Sequence, residues 1–217
     1  MRLTRVLATW ILLGTTLAVV GCSPSARINP EAEDSSLSQS DLVMPDHAMT
    51  MDLGPKDAEF DLRFLDGMIL HHQGAVVMAQ SALQNSSRGE IQQLATAIIE
   101  AQQGEISQMQ QWRTAWYPDA SETPVMYHAE MGHSMAMTPE MQEEMMMSGD
   151  LGEADAEFDL RFIDGMIPHH EGALNMADQV LQNSDRPELQ ELAQDILSSQ
   201  QTEIDQMKQW RQDWYGQ

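Results

Sequence analysis

The side chains in this chain best suited to chemistry are soft metal ligands, and they recur in a fixed pattern. Met68-x-x-His71-His72 is followed six residues on by Met78, and Glu105-x-x-x-Met109 lies further along. Displaced by 98 residues, the pattern returns as Met166-x-x-His169-His170, Met176 and Glu203-x-x-x-Met207. Imidazole nitrogen combined with thioether sulfur favours Cu(I), and its surrogate Ag(I), over iron, manganese or magnesium. Di-iron bundles use Glu-x-x-His, which supplies a carboxylate three residues before the histidine. Here Met68 and Met166 stand at that position, so a hard oxygen is replaced by a soft sulfur. Zinc fits less well, because no H-x-x-x-H pattern is present and the one cysteine, Cys22, lies far away near the N-terminus.

Two further segments mix the same ligand types. Met44, His47, Met49 and Met51 form the first. The second holds Met126, His128, Met131, His133, Met135 and Met137, followed by Met141, Met145, Met146 and Met147. Eight of the 18 methionines fall between residues 118 and 154, in an acidic connecting stretch with no obvious core to fill. Two classes of copper site are therefore expected, one in the repeated pattern and one in these segments.

The elements that must position these ligands are set by the duplication. Residues 57–117 and 155–215 align without a gap, with 39 of 61 positions identical. A repeat of this size is one supersecondary unit that needs its copy to bury an apolar face. Apolar residues at Leu65, Met68, Ile69, Val76, Ala79 and Leu83 follow helical spacing. Asn85-Ser86-Ser87-Arg88-Gly89 interrupts it, and Ile91, Leu94, Ile98, Ala101, Ile106, Met109, Trp112 and Trp116 resume it. Each copy thus reads as a helical hairpin, with helices expected near 57–84, 90–116, 155–182 and 188–214. Asp57 is the expected cap of the first. The fold class is all-α: two repeated hairpins forming one antiparallel four-helix bundle, with ligand sites between facing helices. Two hairpins that dimerise with other chains are the alternative. Within residues 118–154, one short helix from Pro139 onward is expected.

Turning each residue by 100° puts Asp61, Leu65, Met68, His72, Val76 and Ala79 at the centre of the first apolar face. His71 falls at its edge. On the second helix Glu105 sits in the middle of the stripe running from Leu94 to Trp112. Buried carboxylates must pair, hydrogen-bond or bind a cation. His72, His170, Glu105 and Glu203 are expected to be largely buried, and Asp66 and Asp164 exposed. Asp61 and Asp159, near the helix starts, are expected to accept local hydrogen bonds. A Glu–His hydrogen bond with methionine as core filler stays open beside the metal reading.

The formal charge of −23 excludes the basic face that a nucleic-acid binder needs. At the N-terminus, Arg2 and Arg5 precede an apolar run of 15 residues from Val6 to Val20. That is short for a membrane span and fits an export signal over 1–21. Val19-Val20-Gly21-Cys22 resembles a bacterial lipobox, so Cys22 is expected to carry lipid. Residues 22–56 read as a flexible tether, 57–117 as the first hairpin, 118–154 as the connecting loop and 155–217 as the second hairpin. The expected location is a bacterial envelope, periplasmic or cell-surface, anchored to the lipid bilayer. A single cysteine permits no disulfide within the chain.

The pattern D-x-x-F-x-x-x-M-I-x-H-H-x-x-A-x-x-M-A followed by Q-x-x-E-I-x-x-M resembles the family of the cyanobacterial periplasmic copper-binding protein CopM. Asp61, Phe64, Met68, Ile69, His71, His72, Ala75, Met78, Ala79, Gln102, Glu105, Ile106 and Met109 carry it in the first copy. Asp159, Phe162, Met166, Ile167, His169, His170, Ala173, Met176, Ala177, Gln200, Glu203, Ile204 and Met207 carry it in the second. The resemblance implies a ferritin-like bundle and Cu(I) binding outside the cytoplasm. The expected function is copper sequestration, tolerance or handover to a copper exporter or another copper-handling protein. A ferritin-like di-metal oxidoreductase using Glu105 and Glu203 is one alternative, and a partner-binding bundle without metal is the other. No convincing catalytic constellation is present, so no enzyme is expected.

Overall fold

Each repeat folds as helix, tight turn, helix, and the turn is built the same way twice. Helix α1 spans Phe60–Asn85 and α2 Gly89–Trp116; α4 spans Phe158–Asn183 and α5 Pro187–Tyr215. The backbone turns extended at Ser86 and Ser184, whose Oγ atoms accept from the amides of Arg88 at 3.1 Å and Arg186 at 3.2 Å. Gln92 and Gln190 then donate back to the serine carbonyls at 2.8 Å. These side chains take up backbone groups that a helix end leaves without partners. The computed structural model describes residues 51–217, so the expected leader, Cys22 and the ligands Met44, His47 and Met49 lie outside the described residues. Among the described residues, no helix is long and apolar enough to cross a membrane.

The four long helices form an antiparallel bundle in which α1 packs on α2, α4 on α5, and α1 on α4. Two apolar clusters result. One joins Ala75–Ala82 of α1 and Ile91–Ile98 of α2 to Phe158–Ile167 of α4, Ile204 and Met207. The other joins Phe60–Ile69 of α1 and Met109 to Ala173–Val180 of α4 and Leu189–Ile196 of α5. The mirror relation follows from the duplication, and it leaves the histidine pairs of α1 and α4 between the two clusters.

Several expectations are corrected. Asp57 does not cap α1, which opens at Phe60 with no side-chain cap. Its carboxylate accepts from the Glu59 amide at 2.9 Å and pairs with Arg63 at 2.9 Å, forming a turn ahead of the helix. Asp61 and Asp159 are not local acceptors. Each reaches the turn of the other hairpin, Asp61 to Arg186 and Asp159 to Arg88, both at 3.1 Å. The same guanidiniums lie over Trp116 at 4.0 Å and over Trp214 at 4.3 Å, so two cation–π clasps join the hairpins. On α2, Ala101 is exposed and Gln102 takes the buried position beside it.

The connecting segment is more than a loop. The helix expected from Pro139 is present as α3, Pro139–Met146, capped by Thr138, which accepts from the Met141 amide at 3.3 Å. Before it, β1 (Val125–His128) and β2 (His133–Ala136) form an antiparallel ribbon, with Val125 opposite Ala136 and His128 opposite His133. Both β1 and α3 lie on α1. Asp66 is therefore buried, not exposed: it pairs with Arg113 and accepts from the Val125 amide at 2.9 Å. Asp164, its copy, stays exposed and pairs with Arg211 at 3.2 Å.

Candidate metal centre

Four imidazoles meet at mid-bundle because each helix of the central pair carries two consecutive histidines at its crossing point. His71, His72, His169 and His170 are all buried. His71 is not at an edge, since α4 covers it: its ring centre lies 3.8 Å from that of His169. His72 Nε2 donates to Glu105 at 2.7 Å, and His170 Nε2 to Glu203 at 2.6 Å. The two carboxylates are largely buried, as expected, with side chains 19% and 20% exposed. They reach inward from the rim.

The ring nitrogens left over are the unusual feature. Both nitrogens of His71, and Nδ1 of His72, His169 and His170, are buried without a hydrogen-bond partner among the described residues. Buried polar atoms are nearly always partnered, so a cluster of this kind needs an explanation. Burial, aided by the neighbouring imidazoles, holds His71 well below the ordinary histidine range and His169 down to about 3. Both rings are thus neutral at pH 7, the form that ligates metals. His169 donates from Nε2 to the Met146 carbonyl at 3.1 Å, which leaves Nδ1 as its lone-pair nitrogen. A carboxylate on Nε2 does the same for His72 and His170, as a carboxylate or carbonyl on the far nitrogen does for metal-bound histidines.

Glycine lets the sulfur ligands approach. At Gly74 the Met146 carbonyl occupies the space a Cβ would take. At its copy, Gly172, a Cβ would lie 3.0 Å from His71 Nε2 and 3.9 Å from Met147 Sδ. Met147 closes α3 in the left-handed region at φ 47°, a conformation uncommon outside glycine. Met147 Sδ and His71 Nε2 thus both face the space that Gly172 leaves open. The Met145 and Met176 sulfurs flank Gly67, and the Met78 sulfur lies 3.7 Å from a Cβ placed on Gly165.

The remaining candidates divide by position. Met68, Met109 and Met176 sit in one apolar cluster, and Met78, Met166 and Met207 in the other. Met51, Met126 and Met137 line a cavity beside α3. His128, His133 and Met135 belong to the ribbon and Met131 to its turn; Met131 and His133 are exposed. Among the described residues, no three His, Cys, Asp or Glu side chains are grouped to hold an ion by themselves. An ion at the centre would therefore be held by two imidazoles or by imidazoles together with another donor such as a thioether. Sequence reasoning noted the run Met145–Met147 but did not place it at the histidines. Its signal was the three consecutive methionines before Ser148-Gly149, where a helix has to end.

The DUF305 family, described as a domain of unknown function, matches residues 41–211. CopM in the Cu(I)-bound form is 36% identical with a TM-score of 0.55, over 71% of this chain and 97% of that one. CopM in the Cu(II)-bound form is 39% identical with a TM-score of 0.57, over the same shares. A DUF305 protein from Streptomyces coelicolor is 27% identical with a TM-score of 0.54, over 68% of this chain and 88% of that one. An uncharacterized protein of Acanthamoeba polyphaga mimivirus is 41% identical over 49 residues, which span 23% of this chain and 32% of the viral protein.

Proposed function

The chain belongs to the DUF305 family and is related to CopM, and on that footing we propose that it captures Cu(I) between its two hairpins. The observation that carries this reading is the set of unpartnered, buried ring nitrogens on His71, His72, His169 and His170. The donor set suits a soft monovalent ion: imidazoles at the centre, neutral at His71 and His169, the Met147 thioether beside Gly172, and Glu105 and Glu203 behind His72 and His170 to balance charge. Ag(I) is the natural surrogate. Crystals of CopM with Cu(I) and with Ag bound support the same ion class.

The role is sequestration, with tolerance or handover as its consequence, at the bacterial envelope. Export over 1–21 and lipid on Cys22 would tether the chain to the bilayer, within reach of a copper exporter or another copper-handling protein. A di-metal oxidase is not favoured, because Glu105 and Glu203 each hold a histidine of their own hairpin instead of converging. Anaerobic titration with Cu(I), Zn(II) and Fe(II), read by native mass spectrometry, tests the proposal. Tight Cu(I) binding with weak Zn(II) and Fe(II) binding is expected; no Cu(I) retained against a moderate chelator contradicts it.

A further inference from the structure

The connecting segment builds a second set of sulfur ligands, separate from the histidines. A cavity of about 260 Å³ lies between the chain entering α1, the ribbon and α3. Five methionines line it: Met51 before α1, Met126 on β1, Met137 after β2, and Met141 and Met145 one turn apart on α3. These side chains come from separate stretches of sequence, so the fold assembles them. Methionine is commonly a gap filler, but a filler closes space. Here the five line open space that they do not close.

The charges around the cavity favour a cation. Asp52 and Glu144 also line it, and both are exposed. Among the described residues Arg63 is the one cationic side chain in the lining, and its guanidinium is already engaged. It donates to the carbonyls of Leu53 at 2.6 Å and Pro55 at 2.8 Å, to Ser134 Oγ at 2.9 Å, and pairs with Asp57 at 2.9 Å. Among the described residues no histidine or cysteine lines the cavity, so thioethers are the soft donors found there. Thioethers alone select Cu(I) or Ag(I) against Zn(II) and Cu(II), which prefer nitrogen and oxygen.

We propose that this cavity is a thioether-only site for a soft monovalent cation, Cu(I) or Ag(I), separate from the core histidines. It rests on the Cu(I) reading above and adds a site to it. Met145 lies at the boundary: it lines the cavity, and its sulfur would lie 3.9 Å from a Cβ on Gly67, beside the Met176 sulfur.

The test is the full mature chain against a Met126→Leu/Met137→Leu/Met141→Leu variant. Leucine conserves volume, so circular-dichroism melting should show both chains folded. In anaerobic Cu(I) titration read by native mass spectrometry, the variant should hold one ion fewer than the wild type. A variant that binds nothing would also support the cavity, and would overturn the core site instead. Wild type that binds Cu(I), with a variant unchanged in stoichiometry and affinity, overturns the cavity alone. Wild type that binds no Cu(I) overturns both readings. Independently of any variant, X-ray absorption of the Cu(I)-loaded wild type should contain a sulfur-only component. A spectrum in which every copper carries nitrogen contradicts the cavity.

Discussion

Replacing Gly74 with alanine should loosen α3 from the histidine centre, and the structure sets the size of the effect. A Cβ there falls on the Met146 carbonyl, so α3 must withdraw by about 2 Å to restore ordinary contact. Overpacking of this kind typically costs about 1–3 kcal/mol. Withdrawal also breaks the 3.1 Å bond from His169 Nε2 to that carbonyl, a loss of about 1 kcal/mol. Alanine returns up to about 1 kcal/mol of helix propensity. The net expectation is a loss of roughly 1–3 kcal/mol, which lowers Tm by about 2–4 °C per kcal/mol in a chain of this size. Gly104→Ala is the matched control, because a Cβ at that helical glycine meets nothing within 4 Å, and it should stabilise. Thermal melts of both metal-free variants decide the matter. A Gly74→Ala protein that melts at or above the control would refute the placement of α3.

Stability of the metal-free protein should fall with acid. His71 and His169 take up a proton in the unfolded chain near the ordinary histidine value of 6.5, but in the folded one only far lower. Stability is thus full above about pH 6.5 and drops below it by about 1.4 kcal/mol per pH unit for each histidine. For His169 the loss ends near pH 3; a flat profile in urea melts between pH 7 and 5 would contradict the burial of neutral rings. Arg186→Ala removes the Asp61 pair and the stack on Trp116, and should cost about 1 kcal/mol by denaturant titration. Arg88→Ala should cost a similar amount at the other clasp, and the two should add, because they lie on opposite hairpins. Cys22→Ser should release the protein from membrane fractions with an unchanged melting curve; retained membrane association would point to an uncleaved anchor.

The bundle was legible because the repeat states each helix twice. Leu65, Met68 and Val76 keep helical spacing, and Ser86 and Ser184 mark the same turn, so the errors at the ends are confined to residues such as Asp57. What the repeat could not show is what breaks its symmetry. Asp66 and Asp164 are identical in sequence, yet only Asp66 lies beneath β1 and meets Arg113 out of solvent. The ribbon itself was hidden, since Met126, His128, Ser134 and Ala136 have weak strand preference. Helical projection put His72 in the core correctly. It left His71 at the edge because a projection of one helix does not see α4 crossing it. The approach of Met147 to Gly172 was unreadable for a related reason: it depends on how α3, closed by Met147 in the left-handed region, packs against the bundle.

The central claim is that the mid-bundle histidines hold a soft metal ion. A crystal structure of the full mature chain loaded with Ag(I), with the ion located by anomalous scattering, tests it most directly. The account predicts a peak within bonding distance of His71, with Met147 or another thioether in the same shell. Strong Ag(I) peaks confined to exposed carboxylates, with none among His71, His72, His169 and His170, would contradict it.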